Sequence, residues 1–272
     1  MAEMKPVPSA TVTLVRDTDD GLEVLMMQRN LKSVFVPGMY VFPGGAVDAA
    51  DSAPEICELS SGIDDARASH MLSVASAGLA YWVAAIRESF EEAGLLIAYD
   101  AQGRLVTLDE PGLIERYRRH RHELNQGTRG MLEILRAEGL TLAVDQLVYF
   151  SHWITPAGAP RRYDTRFFVA AMPPAQAPLH DNHETISHVW VRPGAALERH
   201  GKDEFKMRFP TVRTLKEFAA YESVDALMQA MRAKRDIPTI LPKFSKEGGR
   251  ILPGDPGYEE TAAREGSGKW KI

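Results

Sequence analysis

The segment Arg87-Glu88-Ser89-Phe90-Glu91-Glu92-Ala93-Gly94-Leu95 is the stretch of this chain that decides its fold and its chemistry. In a helix, Glu91 and Glu92 lie three and four residues after Glu88, so the three carboxylates share one face. Like charges at these spacings repel each other, and the helix gains nothing from them by itself. Mg²⁺ and Mn²⁺ prefer carboxylate and carbonyl oxygens as ligands. The segment therefore predicts either a divalent metal site or a solvated acidic helix face.

A glycine pair lies upstream, in Phe42-Pro43-Gly44-Gly45-Ala46-Val47-Asp48-Ala49-Ala50-Asp51. We expect a turn at this pair, because glycine accepts positive φ and lets the backbone come close to other groups. A carbonyl of Gly44 or Gly45 would then point at a metal ion held by the glutamates. This context favours the metal site over the solvated face.

The two segments together resemble the box of the Nudix hydrolases, G-x5-E-x7-R-E-U-x-E-E-x-G-U, in which U is a bulky apolar residue. Gly45 matches the opening glycine, and Asp51 stands at the first acidic position as Asp instead of Glu. Ser89 departs from the apolar U. The remaining matches of the second half are Arg87, Glu88, Glu91, Glu92, Gly94 and Leu95.

The two halves of the box are interrupted by an insertion. Between Asp51 and Arg87 lie 35 residues where the pattern has 7, so 28 are extra. An insertion at this place resembles the one in a branch of the superfamily, the peroxisomal-type coenzyme A diphosphatases. The likeness to that branch extends to Gln28-Arg29-Asn30, residues 36–45, Trp153-Ile154-Thr155-Pro156 and residues 161–168.

The resemblance implies an α/β fold, a Nudix-type α/β/α sandwich with a mixed β-sheet and a helical insertion. Residues 1–240 would form the Nudix hydrolase domain, with 52–78 as the insertion within the box. Residues 241–272, in which Gly and Pro lie among charges, would form an irregular C-terminal tail.

The resemblance also implies a metal-dependent hydrolase that cleaves a diphosphate linkage with Mg²⁺ or Mn²⁺. The metal ligands would be the carbonyl of Gly45 and the side chains of Glu88, Glu91 and Glu92. Glu184, in a loop outside the box, would complete the site, and either Glu184 or a box glutamate would be the base. Residues that support the box would be Gly44, Asp51 and Arg87, with Arg87 paired to Asp51.

The substrate class is the least determined part of the prediction. The best match is coenzyme A or acyl-coenzyme A, whose 3′-phosphate needs charge-assisted partners if it is buried. Arg29 with Arg161 and Arg162 is our first choice for these partners, and Lys32 is a stand-in for the basic residue that the coenzyme A signature has after Arg29. An NADH or ADP-ribose pyrophosphatase is the alternative enzyme. A non-catalytic nucleotide sensor on the same fold is the alternative of a different class.

The basic run at residues 113–124 contains four arginines and two histidines. We interpret it as a solvated helix face. The alternative is a lid that binds the anionic groups of a phosphorylated ligand, because the planar guanidinium of arginine suits phosphate.

Composition limits the partners and the compartment. The net charge of −5 gives no electrostatic reason to expect nucleic acid or membrane binding, so the expected partner is a small-molecule nucleotide. No apolar run approaches the ~18 residues that span a bilayer. The single cysteine, Cys57, excludes an internal disulfide and agrees with a cytoplasmic location. Nudix proteins are often homodimers, so a homodimer is the oligomeric state to test.

Hydrophobic periodicity and turn residues predict the order of the elements. We expect the box helix to cover residues 79–93 and to end at Gly94, and we expect one or two short helices within 52–78. Further helices are expected at 131–137, 195–198, 212–221 and 224–232. Strands are expected at 9–15, 22–28, 40–42, 146–153, 165–172 and 187–191.

Overall fold

The structure is a computed structural model that describes residues 4–31, 37–180, 185–244 and 249–261. Its strands are β1 Val7–Thr18, β2 Gly21–Arg29, β3 Tyr40–Val41, β4 Gly44–Ala46, β5 Ala98–Tyr99, β6 Thr141–Leu142, β7 Val148–Ile154, β8 Tyr163–Ala171, β9 Thr185–Val191, β10 Thr239–Ile240, β11 Lys243–Phe244 and β12 Arg250–Ile251. Its α-helices are α1 Pro54–Glu58, α2 Asp65–Leu72, α3 Leu79–Glu88, α4 Pro111–Asn125, α5 Met131–Glu138, α6 Pro193–Gly201, α7 Phe209–Phe218 and α8 Val224–Ala233. Short 3₁₀ turns lie at Ala49–Ser52 and Val144–Gln146, and a π-helical turn lies at Ser89–Ala93.

One mixed sheet organises the molecule, with the strand order β10-β7-β8-β1-β2-β3. Strand β1 runs parallel to β8 and antiparallel to β2. It pairs with β2 over Val15–Thr18 and with β4 over Ser9–Thr11. Strand β2 in turn pairs with β3 and β9 along its second half. The two long strands therefore separate after a short hairpin, and β3 and β4 occupy the opening between them.

Helices cover both faces of this sheet. On one face α3 packs against β1 and β8, and its Trp82 ring lies 4.6 Å from the ring of Phe168 between centroids. On the other face α7 and α8 bury Leu215, Phe218 and Leu227 against apolar residues of β1, β2, β7 and β8. Each large side chain buried in this way contributes about 1.5–3 kcal/mol. The predicted α/β/α sandwich with a mixed sheet is confirmed.

The insertion within the box forms two short helices, α1 and α2, as predicted. Helix α2 is tied to the start of α3 by Asp65, whose carboxylate accepts hydrogen bonds from the amides of Ala77 at 3.0 Å and Leu79 at 3.0 Å. A carboxylate is favourable there because the first amides of a helix lack backbone partners and carry positive charge. The inserted residues therefore cap the box helix.

The predicted strands and helices are present with ends that differ by a few residues. The C-terminal segment is more regular than expected. Strand β10 extends the sheet beside β7, and β11 pairs with β12 in a hairpin. The Arg250 guanidinium lies 4.0 Å from the centre of the Phe209 ring. The domain boundary at residue 240 stays a prediction. Within the described ranges, every helix is too short or too polar to cross a bilayer.

The contact between α2 and α3 gives a test of the fold. A Cβ atom on Gly78 would lie 2.3 Å from the Ser69 amide nitrogen, whereas one on Gly112 in α4 would meet nothing within 4 Å. We expect Gly78→Ala to lower the free energy of unfolding by about 2–3 kcal/mol, because backbone atoms must move apart. Gly112→Ala is the control and should be neutral or stabilising, since alanine favours the helix by about 0.5–1 kcal/mol. Urea denaturation measures both, and equal stabilities would contradict the close packing.

Candidate active site

The acidic residues lie where α3 widens into a π-helical turn at Ser89–Ala93. Gly94 ends this turn in the left-handed conformation, with φ of 72°, as the sequence predicts. The sequence predicts a regular α-helix to residue 93, and this prediction is wrong for the last turn. π-helical turns are rare and often lie at functional sites.

Ser89, the departure from the Nudix pattern, is fully buried. Its hydroxyl donates to the Leu95 carbonyl at 2.9 Å, across the end of the helix. A buried hydroxyl that has a hydrogen-bond partner costs little free energy. The polar residue therefore fits a position that the pattern reserves for an apolar one.

The glycine pair forms strand β4 instead of the expected turn. Neither Gly44 nor Gly45 has positive φ. The expectation of a turn was wrong because both residues pair with β1, at Thr11 and Ala10. Glycine is needed here for space. A Cβ atom on Gly44 would lie 2.5 Å from the Ala10 carbonyl oxygen, and one on Gly45 would lie 2.3 Å from Glu88 Oε1.

Arg87 joins the two halves of the interrupted box. Its side chain is buried, and its Nε and Nη2 donate to the two carboxylate oxygens of Asp51 at 2.9 and 3.0 Å. Nη2 also donates to the carbonyl of Ala46 at 2.8 Å. The predicted pairing of Arg87 with Asp51 is confirmed, so the insertion leaves and re-enters the fold at neighbouring points.

Arg87 also contacts the acidic cluster, a contact that the sequence does not predict. Its Nη1 donates to Glu88 Oε1 at 2.8 Å and to Glu91 Oε2 at 3.0 Å. Burial acts to lower the pKa of Arg87, but the hydrogen bond with Asp51 and the nearby negative charges outweigh it and raise that pKa above its usual value. Burial also raises the pKa of Glu91, although the charge of Arg87 opposes this.

The side chain of Glu92 contacts the backbone of β4. Its Oε2 accepts a hydrogen bond from the Gly44 amide at 3.1 Å, and its side chain is buried. The structure therefore brings together Gly44, Gly45, Asp51, Arg87, Glu88, Glu91 and Glu92.

The chemistry of these donors suits a hard divalent cation. They are carboxylate oxygens beside the Gly45 carbonyl, which accepts a hydrogen bond from the Ser9 hydroxyl at 2.7 Å. The missing Cβ of Gly45 leaves room for the Glu88 carboxylate. Within the described ranges, no three His, Cys, Asp or Glu side chains are arranged as a metal cage, and Glu88 and Glu91 bind Arg87 instead. The residues therefore fit a divalent cation in chemical kind, and in this structure Arg87 balances their charge.

The residues predicted to bind substrate lie on other elements. Arg162 is buried at the start of β8, and its guanidinium donates to the carbonyls of Thr155 at 3.0 Å and Met4 at 2.9 Å. Arg161 is exposed beside it, and Arg29 lies at the end of β2, where its amide donates to the Met39 carbonyl. Lys32 and Glu184 lie outside the described residues.

The interpretation of the basic run at residues 113–124 as a solvated face is wrong for two of its members. His120 and Arg121 are buried, whereas Arg118 is exposed. Helical spacing could have shown this, because Arg121 lies four residues after the buried Tyr117 and three before the buried Leu124. The prediction relied on the many charges of the run and did not consider the apolar residues on one side of the helix.

The buried ion pair between Arg87 and Asp51 should be essential to stability. We expect Asp51→Asn to lower the free energy of unfolding by about 3 kcal/mol, because it removes one partner of a buried pair. Glu198→Gln, at the exposed pair with Lys202, is the control and should leave stability unchanged within error. Urea denaturation at neutral pH measures both. An Asp51→Asn variant as stable as the parent would show that Glu88 and Glu91 alone compensate Arg87.

Comparison with known proteins agrees with this geometry. The model of the NUDT19 Nudix domain family matches residues 64–218. The acyl-coenzyme A diphosphatase NUDT19 of Gallus gallus is 29% identical over 91% of this chain and 75% of its own length. The Homo sapiens protein of that name is 28% identical over 89% of this chain and 74% of its own length. The crystal structure of a Nudix hydrolase from Alicyclobacillus acidocaldarius superimposes with a TM-score of 0.69 at 26% identity, over 83% of this chain and 96% of the other. This chain belongs to the NUDT19 Nudix domain family and is a Nudix hydrolase.

Proposed function

We propose that this protein hydrolyses the diphosphate linkage of coenzyme A or an acyl-coenzyme A, with Mg²⁺ or Mn²⁺ as cofactor. The observation that carries the proposal is the meeting of Glu88, Glu91 and Glu92 with the glycine strand β4, held by Arg87. The relatives named acyl-coenzyme A diphosphatase NUDT19 cover most of this chain and support the substrate class.

The proposed cation would be held by the carbonyl of Gly45 and the carboxylates of Glu88, Glu91 and Glu92. When bound, such a cation neutralises phosphoryl oxygens and acidifies water, which a diphosphate needs because it repels an incoming hydroxide. Strand β4 keeps Glu92 in place through the Gly44 amide. The arrangement of these carboxylates beside one backbone strand supports the proposed ligand set.

Glu91 is our candidate within the box for the base that takes a proton from the attacking water. Its side chain is 21% exposed, against 12% for that of Glu88, so water can reach its carboxylate more easily. Glu184 stays the alternative base from outside the box.

The proposed contacts to the coenzyme A 3′-phosphate now centre on Arg29 and the exposed Arg161. Arg162 is less suited, because its guanidinium already donates to two backbone carbonyls. Lys32 stays part of the proposal from the sequence alone. We also propose a reducing compartment such as the cytoplasm, which the single, half-buried Cys57 supports. A homodimer stays a prediction for measurement in solution.

The substrate is tested by incubating the purified protein and Mg²⁺ or Mn²⁺ with coenzyme A, acetyl-coenzyme A, dephospho-coenzyme A, NADH and ADP-ribose. We expect coenzyme A to yield adenosine 3′,5′-diphosphate and 4′-phosphopantetheine, identified by mass. Dephospho-coenzyme A should show a higher KM, and Arg161→Glu should raise KM for coenzyme A far more than for the dephospho form. Cleavage of NADH or ADP-ribose alone would replace the coenzyme A proposal with a dinucleotide pyrophosphatase. Binding without turnover of any compound would indicate a sensor.

The metal ligands are tested by Glu91→Gln and Glu92→Gln. Each should lower kcat at saturating Mg²⁺ by about 100-fold or more while the protein stays folded, because the amide keeps the shape and removes the charge. Glu115→Gln, an exposed residue of α4, is the control and should keep full activity. Circular dichroism checks the fold of each variant. Full activity of either box variant would disprove its role as a ligand.

A further inference from the structure

Arg121 reaches from α4 to the end of the acidic helix. Its side chain is buried, with 7% of the residue exposed. Nε donates to the Glu91 carbonyl at 2.9 Å, and Nη2 donates to the Glu92 carbonyl at 2.8 Å. One guanidinium thus binds two consecutive peptide units, and both belong to residues of the acidic cluster.

These two carbonyls lie where the helix has no backbone donors left for them. The amides that follow turn back to other carbonyls, since Gly94 donates to Phe90 and Leu95 donates to Ser89. The last carbonyls of a helix need side-chain or solvent donors, and a cation there also interacts favourably with the helix dipole. Arg121 supplies the hydrogen-bond donors and the positive charge. Asn125 adds a weaker hydrogen bond to the Glu91 carbonyl at 3.3 Å.

The residue at position 94 leaves space for this guanidinium. A Cβ atom on Gly94 would lie 3.2 Å from Arg121 Nη1, and φ at this position is positive, so glycine suits it on both grounds. The rest of the run has other contacts, since Arg116 and His120 pair with Glu138 of α5. The contact with the acidic helix is therefore specific to Arg121 and is not a general property of the basic run.

Two arginines thus contact the π-helical turn, one through side chains and the other through the backbone. Arg87 binds carboxylate groups of the cluster, and Arg121 binds the backbone that carries two of them. The orientation of a peptide unit sets the direction of its side chain. Arg121 therefore fixes the peptide units of Glu91, whose carboxylate contacts Arg87, and of Glu92, whose carboxylate contacts the Gly44 amide.

We propose that Arg121 is a positioning residue that preorganises Glu91 and Glu92 for binding the divalent cation. The proposal rests on the proposed function, in which these glutamates are metal ligands. Arg121 touches neither substrate nor cation in this role. A planar fork that spans two carbonyls is required, and the single ammonium group of lysine cannot reproduce it.

The test uses the full chain freed of metal by a chelator and compares Arg121→Gln and Arg121→Lys with the parent. Arg118→Gln is the matched control, because Arg118 lies on the same helix with an exposed side chain. The dissociation constant for Mn²⁺ is measured without substrate, from the electron paramagnetic resonance signal of free Mn²⁺. We expect Arg121→Gln to weaken Mn²⁺ binding by about 10–100-fold, as is usual for residues that orient metal ligands. Arg121→Lys should fall between this variant and the parent, and Arg118→Gln should match the parent.

Kinetics separate positioning from a general structural role. In the same variants kcat should fall in the same order as Mn²⁺ affinity, while KM for the diphosphate substrate at saturating metal stays within about three-fold, since Arg121 does not touch substrate. Thermal unfolding in the presence of chelator reports the fold. Arg121→Lys, which keeps the charge and the buried stem, is the test if Arg121→Gln does not fold. Parental Mn²⁺ affinity in the folded Arg121 variants overturns the proposal, even if they melt earlier.

The Mn²⁺ measurement also distinguishes the two proposals. If no compound is hydrolysed but Arg121→Gln loses Mn²⁺ affinity, the positioning role stands and the coenzyme A function fails. If coenzyme A is hydrolysed and Mn²⁺ affinity is unchanged in the variants, the function stands and the positioning role fails.

Discussion

The buried guanidinium of Arg87 is the interaction on which the rest of the site depends. It binds Asp51 through two hydrogen bonds, the backbone of β4 through the Ala46 carbonyl, and the glutamates Glu88 and Glu91. Several carboxylates in one buried place would repel each other, and a buried cation without partners would be costly. The buried guanidinium and the buried carboxylates therefore each reduce the free-energy cost of burying the other. The same residue joins the helix, the glycine strand and the start of the insertion.

The separation of β1 from β2 creates the place where this arrangement forms. Because β1 takes β4 as its second partner over Ser9–Thr11, the backbone of the glycine pair lies directly under the end of α3. Helix and strand approach so closely that a Cβ atom on Gly45 would overlap the Glu88 carboxylate, and one on Gly44 would overlap Ala10 and Thr11 of β1. Packing of α3 on the sheet through Trp82 and its neighbours keeps this distance small. The position of the carboxylates thus follows from the core beneath them.

The insertion shows how a box can be divided in sequence and remain whole in space. Its ends meet at Asp51 and at the start of α3, so the chain between them adds little closure entropy, only ~0.6 kcal/mol for each doubling of length. It also contributes to the helix it precedes, since Asp65 caps the first amides of α3. The ion pair between Asp51 and Arg87 compensates the remaining cost. The insertion that interrupts the motif therefore also stabilises the helix that carries the second half of the motif.

Local patterns were enough to predict the order of the elements, the end of the box helix at Gly94 and the pairing of Arg87 with Asp51. These follow from helical periodicity, turn residues and the resemblance to a motif whose two halves each keep their internal spacing. Four features were decided only by tertiary structure. The glycine pair is a strand because it pairs with β1, and the last helical turn is π-helical, with two carbonyls that accept hydrogen bonds from α4. The guanidinium of Arg121 binds the carbonyls of Glu91 and Glu92, and that of Arg162 binds the carbonyls of Thr155 and Met4. Local periodicity can mark the buried side of a helix, as it does for Arg121, but it cannot identify the partner that a side chain meets on another element of the fold.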